Sequence, residues 1–304
     1  MEQQYRAASP RPASRLAVGV VSAGRVGSVV GAALERAGHR VVAASAVSDA
    51  SLERAARHLP AAEILSPHQV AAAADLLLIA VPDDAIAPLV ASLPVRPGQI
   101  WAHTSGALGA AALAPARDAG ALTIALAPVM TFTGRAEDLE RLAGISWAIT
   151  GEAESRYVGE ALVLEMGGEP EHIDEADRAR YHAALVYAAN HLMTLVNDAA
   201  DQLRAIGVNE PQRLLAPLVS ASLDNALRHG DAGLTGPVSR GDAGTVAAHL
   251  GALAGTGIED TYRALARRTA ERALDSGRLK PADAEGLLDV LSERRSAHPE
   301  EETP

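Results

Sequence analysis

Cysteine is absent from all 304 residues, which excludes disulfides, thiolate catalysis and cysteine-ligated metals. Aromatic residues make up only 3% of the chain against 48% apolar residues, so the core must be built from Ala, Val, Leu and Ile. Alanine is also the best helix former. Of the 27 basic residues only Lys280 is a lysine, which removes lysine acid–base or Schiff-base chemistry from the rest of the chain. Positive charge is scarce as well. A net charge of −11 disfavours nucleic acid and anionic membranes as partners, since both need a positive field. No apolar run approaches the ~20 residues of a membrane helix. Residues 1–15 carry two prolines and no apolar h-region, so no signal peptide is expected and a cytoplasmic location fits. His39, His58 and His68 lack ligand spacing and no H-E-x-x-H occurs, so no metal site is expected.

What is present is an alternation. Leu16–Val21 is an unbroken apolar run, as in a buried parallel strand. Arg25–Ala37 has helical spacing and Gly38 stands where a helix ends. Strands are expected at 40–46, 62–65, 75–81, 99–103, 122–126 and 145–150. Helices are expected at 52–58, 67–73 and 83–93. Asp75-Leu-Leu-Leu-Ile-Ala-Val81 is the strongest strand signal, and Pro82 stops it. Alternating strands and helices predict a parallel sheet covered on both faces. From about Asp174 the strand signal ceases. Glu175–Ile206 is one apolar-periodic stretch with Leu185, Ala189, Leu192, Val196, Ala199, Leu203 and Ile206 along a stripe, and helices are expected at 211–229, 245–254, 258–276 and 281–294. The carboxylates Glu171, Asp174, Glu175 and Asp177 read as a solvated helix start. The fold class is therefore α/β followed by an all-helical part. Its expected bounds are a disordered 1–15, a sheet domain 16–172, a helical domain 173–294 and a disordered tail 295–304.

Between the first strand and the first helix lies Ser22-Ala23-Gly24-Arg25-Val26-Gly27. The dinucleotide fingerprint G-x-G-x-x-G uses glycines for a tight turn, for backbone approach to a pyrophosphate and for helix–strand packing. The helix N-terminus then holds the phosphates. Gly24 and Gly27 match the second and third glycines, while Ser22 replaces the first. Strand before, helix after and an early position are the confirming context for a Rossmann domain. A tight turn without ligand is the alternative. NAD-preferring domains carry an acid at the end of strand two. Here Ala44-Ser45-Ala46-Val47-Ser48-Asp49 has none at the strand end. Ser45 and Ser48 could bond a 2′-phosphate and Arg25 could add charge, which favours NADP, with Asp49 leaving NAD open.

Other polar groups fall at strand ends and on the long helix. Val81 and Pro82 border the expected cofactor site, and Asp83 reads as a helix N-cap. His103-Thr104-Ser105-Gly106 closes strand five, where a substrate carbonyl or carboxylate could bind or Ser105 could cap a helix. His182, Val186 and Asn190 lie at i, i+4 and i+8 on one helix face, which Asn197 extends. Arg240, in Leu234-Thr-Gly-Pro-Val-Ser-Arg-Gly-Asp242, can anchor a carboxylate or pair with Asp242 structurally. Asp242 and Thr245 read as caps.

The order of Gly24-Arg25-Val26-Gly27, Val81-Pro82-Asp83-Asp84, His103-Thr104-Ser105-Gly106, Tyr181-His182-Ala183-Ala184 with Asn190, and Thr235-Gly236-Pro237-Val238 with Arg240-Gly241-Asp242 resembles a Rossmann-like family over residues 16–270. That family carries a C-terminal domain of unknown function, 2520. It is similar to ketopantoate reductases, pyrroline-5-carboxylate reductases and β-hydroxyacid dehydrogenases. The resemblance implies a helical C-terminal domain like that of 6-phosphogluconate dehydrogenase, a homodimer, and a small acid substrate, a ketopantoate-like acid among them. Two positions depart from the relatives. Val186 stands where the β-hydroxyacid dehydrogenases carry a lysine, and Ala127 stands in Leu126-Ala127-Pro128 where relatives show Leu-His-Pro.

The expected function is hydride transfer between NADP(H) and a small keto, imino or hydroxy acid. His182 is the expected proton donor or acceptor and His103 its alternative. Asn190 and Ser105 orient the carbonyl, and Arg240 holds the carboxylate. These residues are expected to converge on one pocket between the domains. The rival reading is a non-catalytic NADP(H)-binding redox or regulatory protein, favoured by Ala127 and the missing lysine.

Overall fold

The computed structural model describes residues 15–292. The disorder expected at 1–14 and 295–304, and the expected end of the last helix at 293–294, lie outside the described residues. The chain divides into two compact units, one ending at Ala188 and the other beginning at Ala189.

The first unit is built on one eight-stranded sheet. Its strands are β1 (Ala17–Val21), β2 (Arg40–Ala44), β3 (Glu63–Ile64), β4 (Leu76–Ile79), β5 (Ile100–His103), β6 (Leu122–Pro128), β7 (Ser146–Gly151) and β8 (Glu169–His172), in the order β3-β2-β1-β4-β5-β6-β7-β8. The helices between them are α1 (Arg25–Arg36), α2 (Asp49–His58), α3 (Pro67–Ala73), α4 (Asp83–Ser92), α5 (Ala114–Asp118), α6 (Glu137–Arg141) and α7 (Ala153–Glu165). The strand order reverses between β1 and β4, and open α/β sheets bind ligands at such a switch point, beyond the carboxyl ends of the strands.

Successive strand residues face opposite sides of a sheet, so β4 must be apolar at every position. Leu76 and Leu78 pack into the cluster with Val18, Val29 and Trp147, and Leu77 and Ile79 into the cluster with Val70, Ile86 and Trp101. Local signals set the helix bounds. Ser66 and Gln69 form a reciprocal capping box at the start of α3, with Pro67 at its first position.

The sheet departs from the expected all-parallel form at one pair. β7 runs antiparallel to β6, with Leu126 opposite Ile149, and β8 then returns parallel to β7 through α7. Residues 129–145 join the two strands through the five-residue α6. Helix α7 and strand β8 continue the sheet past the last strand expected from the sequence.

Helix α8 (Arg178–Ala205) begins in the first unit and ends in the second, preceded by a 3-10 turn at Glu175–Asp177. The second unit adds α9 (Pro211–His229), α10 (Ala243–Leu253), α11 (Glu259–Asp275) and α12 (Pro281–Ser292). Its core joins Val238, Val246, Leu250, Ala270, Leu287 and Leu291, all from Val238 onward. Helices α8 and α9 stay outside that core. Along the expected apolar stripe of α8, Leu185, Leu192, Val196, Ala199 and Leu203 are half-buried, while Ala189 and Ile206 are exposed. No helix among the described residues is long and apolar enough to cross a membrane.

Candidate functional site

The Ser22–Gly27 loop sits where β1 passes into α1, at the switch point. Ser22 holds the left-handed conformation, φ 74°, at the place of the fingerprint's first glycine. A non-glycine residue there is uncommon and needs support. Ser45 supplies it from the end of β2. Its hydroxyl accepts the Ser22 N–H at 2.9 Å and its carbonyl accepts the Ala23 N–H at 2.8 Å. The two remaining glycines serve different ends. A Cβ on Gly27 would collide with the Ser22 carbonyl and lie 2.9 Å from Ala80 Cβ, so this glycine lets helix and strand touch. A Cβ on Gly24 would meet only Ser22 Oγ at 3.5 Å, so the space above this position is open. That space is a cavity of about 500 Å³ lined in part by Ser22, Gly24, Ser45, Ser48, Arg54 and Val81. A backbone that a phosphate can approach, at a helix N-terminus and beside a cavity of this size, fits a dinucleotide.

The remaining sequence candidates for the cofactor separate. Arg25 opens α1 and is exposed, and Val26 packs against the sheet core. Ser48 is the N-cap of α2, its hydroxyl accepting the Ser51 N–H, and its side chain is exposed. Val81 lines the cavity and Pro82 is the N-cap of α4. Asp83 is not the cap expected of it. It is the first residue of the helix and makes no capping bond, though a carboxylate is favoured in that turn by the helix dipole.

Around β5, three of the sequence candidates come together within the first unit. His103 is completely buried. Its Nδ1 accepts the Ser105 N–H at 3.2 Å, so the neutral ring carries its proton on Nε2, which donates to the Gly109 carbonyl at 2.9 Å. Burial, with the positive Arg178 nearby, pushes its pKa down to about 4 against the weaker pull of Gly109. Ser105 is buried, its Oγ accepting the Leu108 N–H at 3.0 Å. His182 is half-buried and lies over Gly106, where an added Cβ would stand 2.6 Å from His182 Nδ1.

Two residues hold this corner together, Arg178, which the sequence did not single out, and Glu175, expected only as part of a helix start. Arg178, fully buried, donates from Nε to the Leu108 carbonyl at 3.0 Å and from Nη2 to the Ser105 carbonyl at 2.6 Å. Its Nη1 is buried without a partner among the described residues. Burial lowers its pKa, opposed by Tyr181, Glu175 and Asp83. Glu175 is exposed at the helix start, as expected. Its carboxylate lies over Gly109 and accepts the Ala111 N–H at 3.3 Å. Glu175, Arg178 and His182 recur at intervals of three and four, the only sign in the sequence that they share a helical face.

Asn190 and Arg240 belong to the second unit, and both are exposed. Arg240 makes no ion pair or hydrogen bond from its side chain among the described residues, while Asp242 caps α10 through Thr245 N at 3.0 Å. No group of three or more His, Asp or Glu residues able to hold a metal occurs among the described residues.

Residues 1–128 match the Rossmann-like domain model and residues 145–269 match a domain of unknown function, DUF2520. The chain thus joins a Rossmann-like domain to a DUF2520 domain, the pairing its ordered motifs resemble. No curated protein matches it. Among solved structures, a Bacteroides fragilis protein named an NADP oxidoreductase superposes with a TM-score of 0.71 at 21% identity, over 84% of this chain and 98% of its own. A reductive aminase from Aspergillus terreus, in complex with NADPH and ethyl-5-oxohexanoate, gives 0.62 at 19% identity, over 87% and 96%. A 1-pyrroline-5-carboxylate reductase from Streptococcus pyogenes gives 0.59 at 18% identity, over 86% and 99%. At these identities the likeness establishes a shared fold.

Proposed function

We propose that the protein is an NAD(P)-dependent oxidoreductase, with NADP(H) as its cofactor, acting on a small keto, imino or hydroxy acid. The observation that carries this reading is the Ser22–Gly27 loop opening on a cavity of about 500 Å³ at the β1/β4 switch point. The names of the structural neighbours support it, since two of the three are reductases or aminases and two carry NADP or NADPH in their descriptions.

When bound, the dinucleotide would supply or accept the hydride. The chain's own residues then divide as follows. Ser22 and Gly24 admit the pyrophosphate and Gly27 lets the helix come close to the strand beneath it, with Arg25 and Val26 at the helix start, Val81 along the cavity edge and Pro82 next to it. His182 moves the proton, because its half-buried imidazole lies over Gly106 beside the Ser105 loop. His103 is the weaker candidate for that role. Both its nitrogens are engaged by backbone and its depressed pKa keeps it neutral, which suits a brace for the Ser105–Gly109 loop. Ser105 and Asn190 are read as carbonyl ligands and Arg240 as the carboxylate ligand. Arg178 and Glu175 are positioning residues that tie the start of the long helix to that loop.

Three further attributes belong to the same reading. The protein is cytoplasmic, it binds no nucleic acid at a net charge of −11, and it is a homodimer through α8 and α9. Titration with NADPH, NADH and S-adenosylmethionine tests the core of the proposal. NADPH is expected to bind in the micromolar range or tighter, and a keto- and imino-acid screen with NADPH then identifies the substrate. Binding of S-adenosylmethionine alone would overturn it.

A further inference from the structure

The far end of the nucleotide cavity holds charged groups that the phosphate loop does not use. Arg54, on the second turn of α2, lines the cavity and is half-buried. Its Nε is shielded from solvent and has no hydrogen-bond partner among the described residues. Opposite it stands the turn between β6 and α6. A Cβ built on Gly134 of that turn would lie 4.0 Å from Arg54 Nη1 and 3.1 Å from Arg25 Cγ. Side chains from α1 and α2 therefore reach the same glycine.

No carboxylate neutralises them. Among the described residues neither Arg25 nor Arg54 forms an ion pair. The buried acid of the α6 segment is already committed. Asp138 is wholly buried and accepts the Thr133 N–H at 2.8 Å, the Gly134 N–H at 2.7 Å and the Thr133 hydroxyl at 2.9 Å. Burial raises its pKa, but these bonds outweigh that and hold it lowered, so the carboxylate is spent on fixing the turn. Asp49, the acid nearest the end of β2, is exposed in the first turn of α2 and is not part of the cavity wall.

Two cations brought to one turn repel, and a doubly charged anion between them would offset that repulsion. An arginine fork is also well matched to phosphate oxygens. The serines at the end of β2 are less free for this task. Ser45 Oγ is occupied by the Ser22 N–H, and Ser48 Oγ by its cap to Ser51. We propose that Arg54, with Arg25 across the Thr133–Gly134 turn, binds the 2′-phosphate of the dinucleotide and is the residue that selects NADP(H) over NAD(H). This rests on the reading of the cavity as a dinucleotide site.

The test is a titration of the full chain with NADPH and NADH, followed by nicotinamide fluorescence, with adenosine 2′,5′-bisphosphate and 5′-AMP as competitors. Wild type is expected to favour NADPH by about tenfold or more, as one or two charge-assisted hydrogen bonds allow. Arg54→Gln should weaken NADPH by about ten- to a hundredfold and leave NADH within about twofold. Competition by adenosine 2′,5′-bisphosphate should weaken in parallel, while 5′-AMP is unaffected. Arg54→Lys, which keeps the charge but loses the fork, should fall between. Equal binding of NADPH and NADH by wild type would overturn the proposal and leave the oxidoreductase reading intact. So would an equal loss of both cofactors in a folded Arg54→Gln. Binding of neither dinucleotide by wild type would overturn both readings together.

Discussion

Leu76 to Ile79 of β4 are at most 1% exposed, while Ile206 just beyond α8 is 79% exposed and Leu227 of α9 is 78% exposed. Leu214, Leu218, Leu223 and Met193 add to the uncovered apolar surface of α8 and α9. Strand β4 is wholly apolar, while α8 and α9 mix apolar with charged and polar residues. The sheet obtains its cover from helices of the same chain, α1, α3, α4 and α7 among them. Helices α8 and α9 are covered only in part, with Ala200, Pro211 and Leu215 buried, and α10 to α12 close a core without them. Exposed apolar side chains on two long helices are candidates for burial against a partner, and each leucine buried there would contribute about 1.5–3 kcal/mol. The difference teaches that one chain covers the sheet fully and the long helices only in part.

The strongest way to break this comparison is at α9. Leu218→Glu with Leu227→Glu should convert a dimer of twice the 31.4 kDa chain mass into a monomer. Light scattering reads the mass directly. Thermal unfolding of the sheet should survive, since neither side chain belongs to its core. A wild-type protein that runs as a 31.4 kDa monomer at micromolar concentration would remove the dimer.

The next effect separates two glycines three residues apart. Gly27→Val forces side-chain atoms against the Ser22 carbonyl, Ala80 and Val20, all buried or backbone, and should cost about 1–3 kcal/mol or more. Gly24→Val meets only Ser22 Oγ at 3.5 Å, and the φ of −73° suits any residue. It should fold like wild type and lose NADPH binding, because the branched side chain fills the phosphate approach. Melting curves and an NADPH titration on the pair decide the matter. A folded Gly24→Val with unchanged NADPH affinity would remove the phosphate-loop assignment.

A smaller effect should appear on acidification. His103 has its folded pKa depressed from 6.5 to about 4. Between those values the unfolded chain binds more protons than the folded one, so stability falls as pH drops from about 6.5 to 4 and levels off below. The size is roughly 3 kcal/mol at most, from 1.36 kcal/mol per unit. Urea unfolding of wild type at pH 7 and pH 5, compared with His103→Asn, isolates this contribution. An identical pH dependence in the two proteins would show that His103 is not the group responsible.

The same contrast governs what could be read from the sequence. Leu76–Ile79 was legible because burial on both faces leaves no polar position in the run. Helices α3 and α9 have the bounds expected of them because Pro67 and Pro211 open each at its first position. Strand β8, Glu169-Pro170-Glu171-His172, carries no such signal. It is an exposed edge, and charge and proline are what protect an edge from further pairing. The reversal of β7 was also illegible, since an apolar run reads alike in either direction. Around the site, strand-end groups such as Gly24 and His103 were legible by position. Arg54, Arg178 and Asp138 were not, because their roles depend on reaching elements distant in the chain, and periodicity carries no trace of that.

The smallest expected effect is at Gly106, and it sharpens the contrast between a glycine set in the sheet and one set at the site. At Gly27 the obstacle to a Cβ is backbone and buried core, which cannot yield. At Gly106 the obstacle is the imidazole of His182, 2.6 Å from the built Cβ, on a half-buried side chain that can rotate aside. Gly106 is not in the left-handed region, so alanine brings no backbone strain. Gly106→Ala should therefore shift the melting temperature by no more than about 2–4 °C, the equivalent of ~1 kcal/mol in a chain of this size. Its consequence should fall on the ring. Displaced from the loop, His182 would show a moved Hε1 resonance, and oxidoreductase turnover would drop while NADPH affinity held. His182→Ala should mimic the loss of turnover, and Gly106→Ala should add little to it, because both remove the same proton-transfer group. An unmoved His182 resonance in Gly106→Ala would mean that the imidazole does not rest on this glycine, and the assignment of His182 to the Ser105 corner would fall with it.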